Sequence, residues 1–174
     1  LASLLIIEHA LISQMKNRLC MPCTACCDGW VQMNIGGIEV YPSHPCPHST
    51  GTGCDAYESR PVDPCINFKC GWLIDGSPLP DWMRPDNARV IVIFNKLTWQ
   101  GMPVDLAVPV GRRIPPRALK WLQEFATSKN RPLIYAEQVV ENGNFSKQQQ
   151  LAAYGPPLFQ QELAKAISEG KKLW

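Results

Sequence analysis

No cysteine follows residue 70, and nowhere in the 174-residue chain do eighteen apolar residues run consecutively. The first absence confines thiol chemistry to one part of the chain. The second leaves a membrane-spanning helix without support. Charge is scarce at 18%, but hydrophobic residues make up 45%, enough for a packed core rather than a disordered chain. No glycine-rich loop follows a strand pattern, so nothing in the sequence calls for a nucleotide cofactor. Repeats and long low-complexity tracts are also missing; the QQQ at 148–150 is too short to matter.

The length fits one domain. The opening LASLLIIEHALISQ lacks a basic leader and a small-residue cleavage site, which argues against a signal peptide. Leu4, Ile7 and Leu11 recur at helical spacing, with Glu8 and Gln14 among the polar positions, so a first helix is expected there. Residues 1–75 are read as this helix plus a cysteine-rich lobe, and 76–174 as an α/β portion packed against it. The expected fold is α+β: a single compact domain with an irregular metal-binding lobe and a short-stranded sheet flanked by helices.

Within the lobe, VQMNIGGIEVY (31–41) predicts two short strands around Gly36-Gly37. Beyond it, ARVIVIF (88–94), the proline-broken MPVDLAVPV (102–110) and RPLIYAE (131–137) predict strands. RALKWLQEFA (117–126) follows two prolines and predicts a helix burying Leu119, Leu122 and Phe125, with Trp121 at the edge. PPLFQQELAKAISEG (156–170) predicts another, burying Leu158, Leu163 and Ile167.

The eight cysteines are Cys20, Cys23, Cys26, Cys27, Cys46, Cys54, Cys65 and Cys70. Two-residue gaps let a turn direct successive sulfurs at one ion. Adjacent side chains usually diverge, so Cys26 and Cys27 are not expected both to complete one tetrahedral ion; either they serve two centres or one of them has another role. Metal ligation is preferred over disulfides, which the tight spacing and lack of secretory context disfavour. Simple burial of thiols does not account for eight in so short a segment. Zinc is the preferred ion, with iron or an iron–sulfur cluster as the alternative, because the CxxCxxC run also resembles part of a ferredoxin. Prolines at 45 and 47 favour extended backbone that turns His44, Cys46 and His48 the same way. His48, Asp28 and Asp55 are further ligand or acid–base candidates, although surface roles are the simpler reading.

The run Cys20-Met21-Pro22-Cys23-Thr24-Ala25-Cys26-Cys27, then Cys46-Pro47, then Cys54-Asp55-Ala56-Tyr57-Glu58-Ser59-Arg60-Pro61, and finally Cys65, Phe68 and Cys70 resembles a known family. This is the zinc- or iron-chelating family named for its CxxCxxCC motif. The resemblance spans residues 20–75, about a third of the chain, with all eight cysteines in order. Thr24-Ala25 stands where the family often has glycine, and Val62-Asp63-Pro64 separates Pro61 from Cys65. The resemblance implies a metal-chelating domain of a mainly intracellular bacterial family without an assigned activity. A related segment occurs in flagellin lysine methylases, which does not make this chain a methylase.

The expected function is therefore cytoplasmic metal binding, structural or metal-handling, with an open-site metalloenzyme or iron–sulfur redox protein as the alternative. Trp30, Tyr57, Phe68 and Trp72 could face an unknown macromolecular partner, but packing is their simpler role. No membrane partner is expected. Arg112, Arg113, Arg117, Lys120, Lys129 and Arg131 form a basic strip better read as a solvated face than as a nucleic-acid site. The formal charge of +2 points the same way, since eight thiolates on two divalent ions would turn it to about −2. Asn144-Phe145-Ser146 matches a glycosylation acceptor without secretory context to support its use.

Overall fold

Short hairpins set the frame. The computed structural model describes residues 18–174, so the expected first helix lies outside the described residues. In the lobe, β1 (Met33–Ile35) pairs antiparallel with β2 (Ile38–Val40). Gly36 and Gly37 both take positive φ, 60° and 91°. That is the left-handed pair a two-residue hairpin turn demands, and glycine adopts it without steric cost.

The sheet is built from β3 (Val90–Trp99), β4 (Met102–Pro109), β5 (Leu133–Glu141) and β6 (Asn144–Tyr154), in that order. β3–β4 and β5–β6 are antiparallel hairpins. Between them α1 (Pro116–Lys129) crosses over, making β4 and β5 parallel with Asp105 opposite Leu133. A second long helix, α2 (Pro157–Ser168), follows β6. Both helices start at proline, which loses nothing by lacking an N–H in the first turn.

The helices cover opposite faces. Ala118, Leu122 and Ala126 of α1 pack with Val90, Val92, Ala107 and Leu133. Phe159 and Leu163 of α2 pack with Val104, Leu106, Val108 and Ile134. The alternation along β4 is the two-residue period of a strand covered on both sides. The fold is thus α+β, with a mixed four-stranded sheet and a separate hairpin.

Several sequence expectations shift in detail. Ala88 ends a short helical turn and Arg89 is left-handed at φ 60°, so β3 begins at Val90. On α1 the fully buried stripe is Ala118–Leu122–Ala126, while Leu119 and Phe125 are half-buried. On α2, Leu158 and Ile167 are exposed and Phe159 takes the core position beside Leu163. β6 was not foreseen. Its NFSKQQQLAAY reads as polar because it is an edge strand, stabilised by its ladder to β5 more than by its own burial.

One buried ion pair braces the crossover. Asp105 on β4 is 3% exposed and accepts two bonds from Arg131, at 2.8 and 2.6 Å. The Asn95 amide adds a third at 3.0 Å. The lobe attaches to the sheet through backbone as well as side chains. Gly71 N–H donates to the Val92 carbonyl at 2.6 Å, and Ser43 Oγ donates to the Phe145 carbonyl at 2.6 Å. Trp30 meets Phe145 edge-on at 5.0 Å, and Lys147 pairs with Glu39.

Candidate metal centre

Successive turns fold the first cysteine cluster. Cys23 N–H donates to the Cys20 carbonyl at 3.0 Å, Asp28 to Thr24 at 2.8 Å and Gly29 to Cys26 at 3.1 Å. Gly29 has φ +92°, and a Cβ there would lie 2.2 Å from the Tyr41 carbonyl carbon. Glycine therefore lets the cluster press against the chain leaving β2.

Asp28 locks this turn to the next loop. Its two oxygens accept from Thr24 Oγ1 and Ser49 Oγ, both at 2.7 Å. Thr24 is buried, so its hydroxyl requires such a partner. Sequence reasoning had Asp28 as a possible ligand; here it organises the loops. The Cys46 amide donates to the Cys27 carbonyl at 2.8 Å, and Ser49 bridges Cys54 in a short antiparallel contact. These bonds bring residues far apart in sequence to the CxxCxxCC turn.

All eight cysteines are free thiols. Cys26 and Cys27 diverge. Cys23 and Cys26 pack with buried Cys70 against the main core, whereas Cys27 and Cys65 pack with buried Cys46 on a satellite core of Ile35 and Val40. Electrostatics links the two sets as well. Burial pushes the Cys26 thiol well above its ordinary 9.0, and Cys70, Cys20, Cys23 and Cys27 raise it further. Burial also lifts Cys27 to about 12, helped by Cys20, Cys46, Cys54 and Cys65. Cys65 is raised by burial first, then by Cys46 and Cys54. Exposed Cys20 lies at the seam, acting on both Cys26 and Cys27. Packing thus sets Cys23, Cys26 and Cys70 apart from Cys27, Cys46 and Cys65, while Cys20 and Cys54 belong to neither cluster.

Among the described residues, no three His, Cys, Asp or Glu side chains are arranged to hold a metal ion. The thiols are electrostatic neighbours without forming a closed cage.

The other candidates are placed as follows. His44 stacks on Tyr41 at 5.4 Å and its Nδ1–H donates to the Glu39 carbonyl at 2.7 Å. His48 Nδ1 lies 2.7 Å from Asp55 Oδ1 in an exposed pair. Cys46 between them is buried, so the expected common direction of His44, Cys46 and His48 does not hold. Trp30, Phe68 and Trp72 pack in the core, and the Arg60 guanidinium lies over the Tyr57 ring at 3.6 Å. The basic strip is broken up: Arg131 pairs with Asp105, Arg113 with Glu137, Lys120 with Glu124, and Arg117 stacks on Trp82.

Comparisons of the chain with protein-family models, with curated proteins and with solved structures find no match. The architecture and the thiol groups therefore stand on their own geometry. What sequence reasoning missed is the Thr24–Asp28–Ser49 lock and the close approaches at Gly29 and Gly71. The one signal that could have hinted at part of this is the Cys27-Asp28-Gly29 run, a turn composition directly after two cysteines; nothing local marks Ser49 or Gly71.

Proposed function

We propose that this protein binds two thiophilic divalent ions, zinc by preference, each on four cysteine thiolates, in a structural or metal-handling role. The observation that supports the reading is that six of eight free thiols, from separate stretches of chain, pack in two sets, Cys23, Cys26 and Cys70 on the main core and Cys27, Cys46 and Cys65 on the satellite core. Buried thiols crowded in this way are poor thiolates alone, because ionising one places charge in an apolar site beside its neighbours. A cation reverses that balance, displacing the protons as it binds. A zinc ion supplies a tetrahedral cross-link with no redox chemistry of its own.

The protein's residues do the rest. Asp28 holds the first turn to the 46–54 loop, Cys46 N–H ties that loop to Cys27, and Gly71 anchors Cys70 to β3.

No helix among the described residues is long and apolar enough to cross a membrane. We place the protein's work in the cytoplasm, where thiols stay reduced. The resemblance to the CxxCxxCC family supports the same reading through all eight cysteine positions. Anaerobic purification followed by metal, sulfide and thiol analysis tests it. Two zinc ions per chain, with all eight cysteines blocked from alkylation until chelator is added, is the expected result. Stoichiometric iron with labile sulfide would shift the reading to the redox alternative, and four disulfides with no metal would overturn it.

A further inference from the structure

Where the lobe meets the sheet, the chain leaves a cavity of about 250 Å³. Its apolar lining comes from Ile93, Leu106, Val108 and Leu151. Ile93 stands opposite Leu106 across the β3–β4 ladder, so these side chains share one face of the sheet. Trp30 from the lobe and Trp174 complete the apolar surround. None of the eight cysteines lines this space, so it is separate from the thiols.

One ammonium in the lining lacks a counter-charge. Lys96 and Lys147 both border the cavity, and no carboxylate does. Lys147 is paired with Glu39. Half-buried Lys96 makes no ion pair or hydrogen bond among the described residues; its Nζ has only the Trp174 ring, 5.1 Å away. Burial alone holds its pKa below the ordinary 10.5, as expected where nothing nearby offsets the charge.

The backbone is shaped to put Lys96 there. In a regular strand, residues three apart point to opposite faces, yet Ile93 and Lys96 line the same cavity. The register shifts between Ile93 and Leu97, and Asn95 is left-handed at φ 54°. An irregularity of this kind re-aims a side chain. Buried Asp105 accepts the Asn95 N–H at 3.0 Å, and Arg131 donates to Asn95 Oδ1 at 2.8 Å. The Asp105–Arg131 pair thus holds the strained residue beside Lys96.

We propose that this cavity binds a small monocarboxylate with an apolar chain, the chain lying on Ile93, Leu106, Val108 and Leu151 and the carboxylate pairing with the Lys96 ammonium. One unpaired ammonium matches one negative charge. A phosphate dianion would call for several charged donors, and Lys147 is already engaged by Glu39. The volume lies just under the roughly 300–1,000 Å³ of sites for drug-sized ligands, which limits the chain to a few carbons. An ion pair formed against apolar walls is also stronger than the same pair in water.

Chemical-shift titration of the isotope-labelled full chain with hexanoate, hexan-1-ol and hexylammonium tests this. Hexanoate should shift the signals of Ile93, Leu106, Val108 and Leu151 and bind at least about tenfold more tightly than hexan-1-ol, with hexylammonium weakest. Lys96→Met keeps the length of the side chain and breaks no ion pair. It should weaken hexanoate at least about tenfold and leave hexan-1-ol unchanged. Lys147→Met should weaken hexanoate less than Lys96→Met does. Equal binding of hexanoate and hexylammonium, undiminished hexanoate binding by Lys96→Met, a larger loss in Lys147→Met, or no response at the four apolar residues up to the solubility limit of hexanoate would each overturn the site. None of these outcomes bears on metal binding, since no cysteine is altered.

Discussion

The backbone amide of Cys46 donates to the carbonyl of Cys27 at 2.8 Å, which ties the second cysteine segment to the last residue of the first. Cys26, one residue earlier, packs with Cys23 and Cys70 against the main core. Two neighbouring cysteines therefore belong to two different surroundings, and under the proposed two-ion reading each should answer for a different ion.

Single replacements should separate those ions. Cys26→Ser and Cys27→Ser are each expected to lower bound zinc from two per chain to about one, measured by elemental analysis after desalting. Loss of both ions from either variant would mean that the thiols form one shared cluster.

Asp28→Ala should destabilise the lobe by about 2–4 kcal/mol, since it removes two hydrogen bonds to a carboxylate and leaves the buried Thr24 hydroxyl only its longer bond, 3.5 Å, to the Gly51 carbonyl. Denaturant unfolding measures this. Metal content at saturation should remain at the wild-type level, because Asp28 positions loops rather than ligating. A variant that lost one ion stoichiometrically would make Asp28 a ligand after all.

Gly29→Ala is expected to cost more than about 2 kcal/mol, combining a left-handed backbone with a Cβ pressed into the Tyr41 backbone. Far-UV and tryptophan spectra during urea titration give the readout. Gly36→Ala has the same backbone strain but open space, so it should be milder.

Removing metal should leave a chain sensitive to alkali. Cys23 and Cys27 have folded values raised, chiefly by burial, to about 11 and about 12 against an ordinary 9.0. The unfolded chain therefore loses its thiol protons first as pH rises. Stability contributed by these protonated thiols is complete below pH 9 and lost as pH climbs toward about 12. Thermal unfolding of chelated protein across that interval should show a falling midpoint. Bound metal should oppose this trend in the loaded protein, since ligated sulfurs are already deprotonated.

Arg131→Ala should destabilise the whole fold by about 3–5 kcal/mol, because it leaves the 3%-exposed Asp105 carboxylate without its cation. Replacing both partners with apolar residues should cost much less. Equilibrium unfolding of the single and double variants checks the comparison.

Strands and helices with a strong period were readable in one dimension. Gly36-Gly37 between apolar residues marked the hairpin, and the paired prolines marked the starts of α1 and α2. The β6 strand was not, because Lys147, Gln148 and Gln150 are exposed and its backbone pairing carries no signal in side-chain polarity. Leu158 was misassigned for a related reason: helical period alone cannot choose between Leu158 and its neighbour Phe159 when both are apolar.

The sequence by itself determined that eight thiols lie in residues 20–70 and that Cys26 and Cys27 diverge, since spacing and backbone geometry are local properties. It could not say which distant cysteine packs beside which. That choice was made only by tertiary structure, through the bond from Cys46 to Cys27, the Asp28 lock and the anchoring of Cys70 beside β3. Each is a contact between segments whose separation along the chain carries no trace of their distance in space.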